Sequence, residues 1–181
     1  MSRRLLTAAA LTVFAAPIAL AHAQAGFGVA AGVSDPLGDF GNAADAGYHV
    51  TGLLRLGIPL APVGLRVEGS FSEFKYKNSS TDAKARLVYG TANAVLSSPG
   101  TIAPYVIGGL GIYHASAVCG TCTTSSTKVG YNGGAGLRLG LSGFSAFVEA
   151  RYHYIPGASD ATNGGVKSST QFIPVSVGVT F

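Results

Sequence analysis

Phe172-Ile-Pro-Val-Ser-Val-Gly-Val-Thr-Phe181 is the stretch that decides the fold. In an extended chain, Ile173, Val175, Val177, Val179 and Phe181 share one face, and Phe172, Pro174, Ser176, Gly178 and Thr180 share the other. Successive side chains of a strand point to opposite faces, so this is a strand with one wholly apolar face and one mixed face. The same alternation recurs upstream. Phe144, Ala146, Val148, Ala150, Tyr152 and Tyr154 oppose Ser145, Phe147, Glu149, Arg151 and His153. Val129 to Leu141 alternates with Lys128, Gly130, Asn132, Gly134, Gly136, Arg138 and Gly140. Leu65, Val67, Gly69 and Phe71 oppose Arg66, Glu68, Ser70 and Ser72; Tyr48, Val50, Leu54 and Leu56 oppose His49, Thr51 and Arg55.

Three further segments carry a weaker signal. Gly26–Ser34 is short, with Phe27, Val29, Ala31 and Val33 on one face. Arg86–Leu96 sets Val88, Ala92, Ala94 and Leu96 against Tyr89, Thr91 and Asn93. Ala103–Ala115 is apolar on both faces, with Val106, Leu110 and Ile112 assigned to the outside. Eight segments result, each near the 9–11 residues that a tilted membrane strand needs.

Composition says where the apolar faces point. Charged residues make up 11% of the 181-residue chain and glycine occurs 26 times, against about 25% charge in an average soluble domain. Much of the surface therefore does not face water. Yet the longest stretch free of Asp, Glu, Lys and Arg, Leu87–Thr127, is broken by Pro99, Gly100, Pro104 and repeated glycine. A chain this apolar without apolar helices can span a bilayer by closing a barrel, in which every backbone group finds a partner.

The first residues read differently. Met1-Ser-Arg-Arg is basic, Leu5–Leu20 is uncharged, and Ala21-His22-Ala23 supplies a small-x-small cleavage pattern. Residues 1–23 are expected to be a cleaved signal peptide, with cleavage after Ala25 as the alternative. Residues 24–181 are expected to form one domain, an all-β, eight-stranded antiparallel up-and-down transmembrane barrel. Removing Arg3 and Arg4 lowers the formal charge from +4 to +2, too weak and dispersed a charge for nucleic-acid binding.

Connection lengths alternate as such a barrel requires. Asp35–Ala46, Lys75–Ala83, Ser116–Thr127 and Pro156–Thr170 are long and polar, whereas Ile58–Pro62, Ser97–Ile102 and Leu141–Gly143 are short. Long connections are expected at the cell exterior and short ones in the periplasm. The combination of Ala103-Pro-Tyr-Val-Ile-Gly-Gly-Leu-Gly-Ile-Tyr113, Phe147-Val-Glu-Ala-Arg-Tyr-His153 and the Phe172–Phe181 ending resembles the OmpA/OmpX-like outer-membrane β-barrel domain family. The resemblance implies residence in the outer-membrane lipid, with the barrel-assembly machinery and periplasmic chaperones as partners during biogenesis. It also implies a terminal assembly signal at Phe181. It does not fix a function, because such barrels serve many.

Candidate chemistry is sparse. Arg55, Arg66, Glu68, Arg138, Glu149 and Arg151 all lie on the polar faces of their strands. Inside a narrow barrel they are expected to form a salt-bridge network that plugs the lumen, since stranded buried charge is costly; a gated ion path is the alternative. Arginines outnumber glutamates in this set, so leftover positive charge must be hydrated. Cys119-Gly-Thr-Cys122 lacks the second CxxC of a zinc knuckle and any βαβ context, so a loop disulfide is favoured over metal, with two free thiols also open. His114 and Ser116 share a face near the outer rim, but no acid orients them as a base and nucleophile require. Tyr48, Phe71, Tyr113, Tyr131, Phe144, Tyr152, Tyr154 and Phe181 sit near strand ends, as interfacial girdles do. The expected function is a structural or surface-interaction barrel without catalytic residues, cofactor or metal. A narrow porin-like channel is the alternative, and a lipid-modifying enzyme a more remote one.

Overall fold

In a computed structural model, residues 24–57, 62–77, 84–119, 122–157 and 169–181 are described. The expected signal peptide lies outside these residues, as do the tips of several connections. The strands are β1 (Gln24–Leu37), β2 (Gly47–Gly57), β3 (Val63–Lys75), β4 (Lys84–Ser97), β5 (Ile102–Cys119), β6 (Cys122–Leu141), β7 (Phe144–Ile155) and β8 (Thr170–Thr180). A short helix, α1 (Gly38–Ala43), follows β1. Each strand pairs antiparallel with its sequence neighbour, and β1 pairs with β8 to close the barrel.

The alternation turns inside out relative to a soluble protein. Val177 is 66% exposed and Leu110 is 64% exposed, forming part of a continuous apolar outer wall. No helix among the described residues is long and apolar enough to cross a membrane; the strands do the crossing. Outward aromatic rings gather at both ends of the wall. Phe27 stacks on Phe181 with centroids 5.5 Å apart, next to Phe144, at the short-turn end. Tyr131 stacks on Tyr154 at 5.0 Å, and Tyr48 neighbours Phe71, at the other. Tyr113 departs from the expected girdle. It is 1% exposed and points into the lumen, because its neighbour Ile112 faces outward and adjacent strand residues cannot share a face.

Two other differences concern the expected loops. Ser116–Thr127 is largely ladder: β5 and β6 stay in register through Ser116↔Ser125 to Cys119↔Cys122. Serine and threonine tolerate a pleated surface well, so a polar stretch rich in them reads as loop and yet extends a hairpin. Within Asp35–Ala46, β1 continues to Leu37 and α1 follows, with Phe40 packed edge-on against Phe74 at 5.0 Å. The short connections at 98–101 and 142–143 stand as turns, and what is described at 76–77, 156–157 and 169 is not strand.

The lumen fills in layers. Nearest the long-connection end, Phe74, Leu87, Tyr89, Tyr113, Ile155 and Phe172 form a buried cluster with Ala44, and Phe40 of α1 packs on it. Toward the short turns, Leu53, Tyr105, Ile107 and Phe147 form a second cluster. Close approach makes room for the larger rings: a side chain at Gly178 would run into the ring of Phe147, and one at Gly136 into that of Tyr105. Charged residues occupy the level between the two clusters.

Candidate functional site

Strands β3 and β7 stand four places apart in the closed order of eight, on opposite walls. Alternation points Arg66 and Glu68 inward from one wall, and Glu149 and Arg151 inward from the other. All four are buried. Arg66 Nε lies 2.8 Å from Glu68 Oε1, an electrostatic contact without hydrogen-bond alignment. Arg66 Nη2 donates to Glu149 Oε2 across the lumen. Arg151 donates Nε to Glu149 Oε1 at 3.0 Å and Nη2 to Glu68 Oε1 at 3.0 Å, and its Nη1 donates to Glu68 Oε2. Two arginines and two glutamates thus alternate in a closed, electrically neutral ring.

Neutral donors complete it. Thr91 Oγ1 and Asn93 Nδ2 donate to Glu68 Oε2 at 3.0 and 3.1 Å. Their strand, β4, runs directly beside β3, with Glu68 opposite Thr91 and Arg66 opposite Asn93. Tyr105 donates its hydroxyl to Glu149 Oε2 at 2.8 Å. Arg66 also lies over the rings of Tyr105 and Phe147, at 5.8 and 5.6 Å from their centroids, a favourable position for a desolvated guanidinium. Burying four charges is tolerated where most of their hydrogen-bonding groups find partners in this way; Arg66 Nε is left with an electrostatic contact alone.

Above the ring sits a histidine layer. His49 is bonded through Nδ1 to Ser34 Oγ at 3.0 Å and through Nε2 to Ser176 Oγ at 2.8 Å. His153 Nδ1 is bonded to the Tyr113 hydroxyl at 2.8 Å, and its ring stacks on Phe172 at 4.7 Å. The space left among His49, Glu68, Arg151 and Ser176 is about 20 Å³, room for roughly one water.

Of the six arginines and glutamates singled out in the sequence, the structure brings four together. Arg55 and Arg138 lie apart, half-buried, nearer the short turns. Arg138 faces Phe147 in the β6–β7 register and forms no ion pair with Glu149 among the described residues. Sequence reasoning misses Tyr105, Thr91, Asn93 and His49 as site residues; the available signal is their place on inward faces.

The remaining candidates disperse. His114 is exposed and bonded to Thr127 Oγ1 at 2.8 Å, with no hydrogen bond to Ser116 among the described residues. Cys119 and Cys122 oppose each other in backbone register at the hairpin tip, and their side chains are not among those described. Among the described residues no three metal-ligating side chains gather. A second ionic cluster lies at the long-connection rim, where Lys84 and Arg86 bind Glu73 at 2.9 and 3.0 Å.

A closed barrel with an apolar outer wall, aromatic belts and an ionic interior defines a transmembrane barrel of outer-membrane type. The sequence matches the outer membrane protein beta-barrel domain over residues 6–181, and the chain belongs to that family. Its location is the Gram-negative outer membrane. Among solved structures it is similar to Neisserial surface protein A, with 18% identity, TM-score 0.63, and coverage of 86% of this chain and 95% of that one. It is also similar to Ail, the attachment invasion locus protein of Yersinia pestis, with 16% identity, TM-score 0.53, and coverage of 87% and 97%. A major outer membrane protein from Thermus thermophilus shows 15% identity, TM-score 0.53, and coverage of 87% and 98%. At these identities the likeness is one of fold. No curated protein matches the sequence.

Proposed function

We propose that this protein is a non-conducting outer-membrane barrel with a structural or surface-interaction role, its lumen plugged and its long connections displayed outside. The observation that carries the reading is the neutral ring joining opposite walls at mid-lumen. The aromatic cluster above it and the space for only about one water beside it support a closed lumen. The belts and the loop rhythm support an orientation with the short turns in the periplasm. In this reading residues 1–23 direct export and are removed, Phe181 contributes to recognition by the assembly machinery, and no catalytic step is needed.

Two experiments test it. Single-channel recording in planar bilayers is expected to show no steady conductance; a stable open level would overturn the plug. Epitope tags within residues 78–83 or 158–168 are expected to be accessible on intact cells, and tags at 98–101 inaccessible. The reverse pattern sinks the orientation.

A further inference from the structure

Arg55 and Arg138 present a problem that the ring leaves unsolved. They project inward from β2 and β6, also opposite walls of the barrel, and line one cavity below the ring with Arg66, Tyr105, Ser97 and Thr180. Among the described residues neither Arg55 nor Arg138 takes part in an ion pair or a side-chain hydrogen bond. Arg55 also lies directly opposite Arg66 in the β2–β3 register, and like charges facing across a ladder repel. The inward carboxylates of the ring, Glu68 and Glu149, are each held by both Arg66 and Arg151. Two guanidinium groups therefore share a half-enclosed space with no carboxylate among its described lining residues.

We propose that this cavity is a phosphate-binding site at the short-turn mouth of the barrel, with Arg55 and Arg138 gripping one phosphoryl group from opposite sides. Each guanidinium is a planar fork of donors matched to paired oxygens. Two forks on opposing walls suit a tetrahedral oxyanion better than a planar carboxylate, which one fork already satisfies. Ser97 and Thr180 line the same cavity with hydroxyls free to donate. Ser97 ends β4 and Thr180 ends β8, so the cavity lies at strand ends, within reach of free phosphate and of a phospholipid headgroup in the adjoining leaflet.

The protein, purified from membranes in octyl glucoside (which carries no phosphate), is titrated with inorganic phosphate or with glycerol 3-phosphate. The arginine Nε–Hε resonances are followed by NMR. Saturable shifts confined to the arginines of this cavity are expected, with about tenfold weaker binding in Arg55→Gln or Arg138→Gln and none in the double variant. Arg86→Gln, at the opposite rim, is expected to bind as the parent does. Shifts with both ligands support a site open to free phosphate; shifts with the ester alone support a headgroup site. Absence of saturable shifts with either ligand, or unchanged binding in the double variant, overturns the proposal. Heat-modifiable gel mobility establishes that each variant is folded, and Arg55→Lys, which keeps the charge and loses the fork, is expected to bind more weakly than the parent.

Discussion

Arg66 on β3 and Glu149 on β7 are joined across the full width of the lumen, from walls that share no backbone hydrogen bond. A strand ladder fixes only neighbouring strands, so this contact ties together parts of the barrel that the sheet connects only through three intervening strands on either side. Its removal is expected to be felt globally. Glu149→Ala leaves two buried arginines sharing Glu68 alone, a loss of about 3–5 kcal/mol. Urea titration in lipid vesicles measures it, and a variant as stable as the parent would show that the ring does not hold the walls.

Tyr105→Phe isolates one component of the same assembly. The ring stays packed beneath Arg66 while Glu149 loses the hydroxyl that donates at 2.8 Å. A hydrogen bond to a buried charge contributes about 1.5–3 kcal/mol. The expected loss by urea titration is of that size, below that of Glu149→Ala.

The outer wall obeys a different rule. Val148 faces lipid beside Leu137 and Val177, so Val148→Arg is expected to cost about 2–4 kcal/mol near the bilayer midplane. Arg86→Gln breaks an ion pair with Glu73 at the exposed rim and is expected to cost no more than about 1 kcal/mol. Equal losses for the two would contradict the placement of the apolar wall.

Gly178→Val tests the packing of the lumen rather than its charge. A side chain there meets the ring of Phe147 and, at 2.7 Å, the backbone carbonyl oxygen of Val29, and overfilling a packed interior costs about 1–3 kcal/mol. The companion change Phe147→Leu in the Gly178→Val background is expected to restore part of the loss. Without any recovery, the ring of Phe147 is not the cause.

Much of this architecture is legible in the residues themselves. Alternation in β7 and β8 is clear because their inner faces carry Glu149, Arg151 and Ser176 against an apolar outer face. In β5 it is blurred, because the lumen-filling Tyr105, Ile107 and Tyr113 are as apolar as the lipid-facing residues, and nearness to a strand end groups Tyr113 with the belts. The inward direction of all six candidate charges follows from parity, but their partners do not. Which arginine meets which glutamate depends on how far each strand is staggered around the barrel, and that emerges only when β1 meets β8. The six residues of α1 are too few for a periodic signal.

Amide exchange distinguishes the extended hairpin from the loop expected of its composition. Residues 116–118 and 123–126 are paired, so their amides are expected to exchange far more slowly than those of Gly100 and Gly157, which lie outside the strands. Uniform fast exchange through 116–127 would remove the hairpin.

The pairing of β1 with β8 has a consequence in time. Seven of the eight ladders join strands adjacent in sequence, whereas this one brings residue 28 to residue 180, and Phe27 and Phe181 exchange backbone hydrogen bonds of 3.2 and 2.8 Å at its end. Hairpins form by short searches, but a contact between distant residues must first overcome the entropy of the chain between them, which rises by about 0.6 kcal/mol with each doubling of length. Until that seam closes, the molecule is an open sheet with two unpaired edges, each a template for any other strand it meets. The interval before closure is when a second copy can pair with a free edge, so crowding of nascent chains is more hazardous to this protein than any comparable crowding of finished barrels.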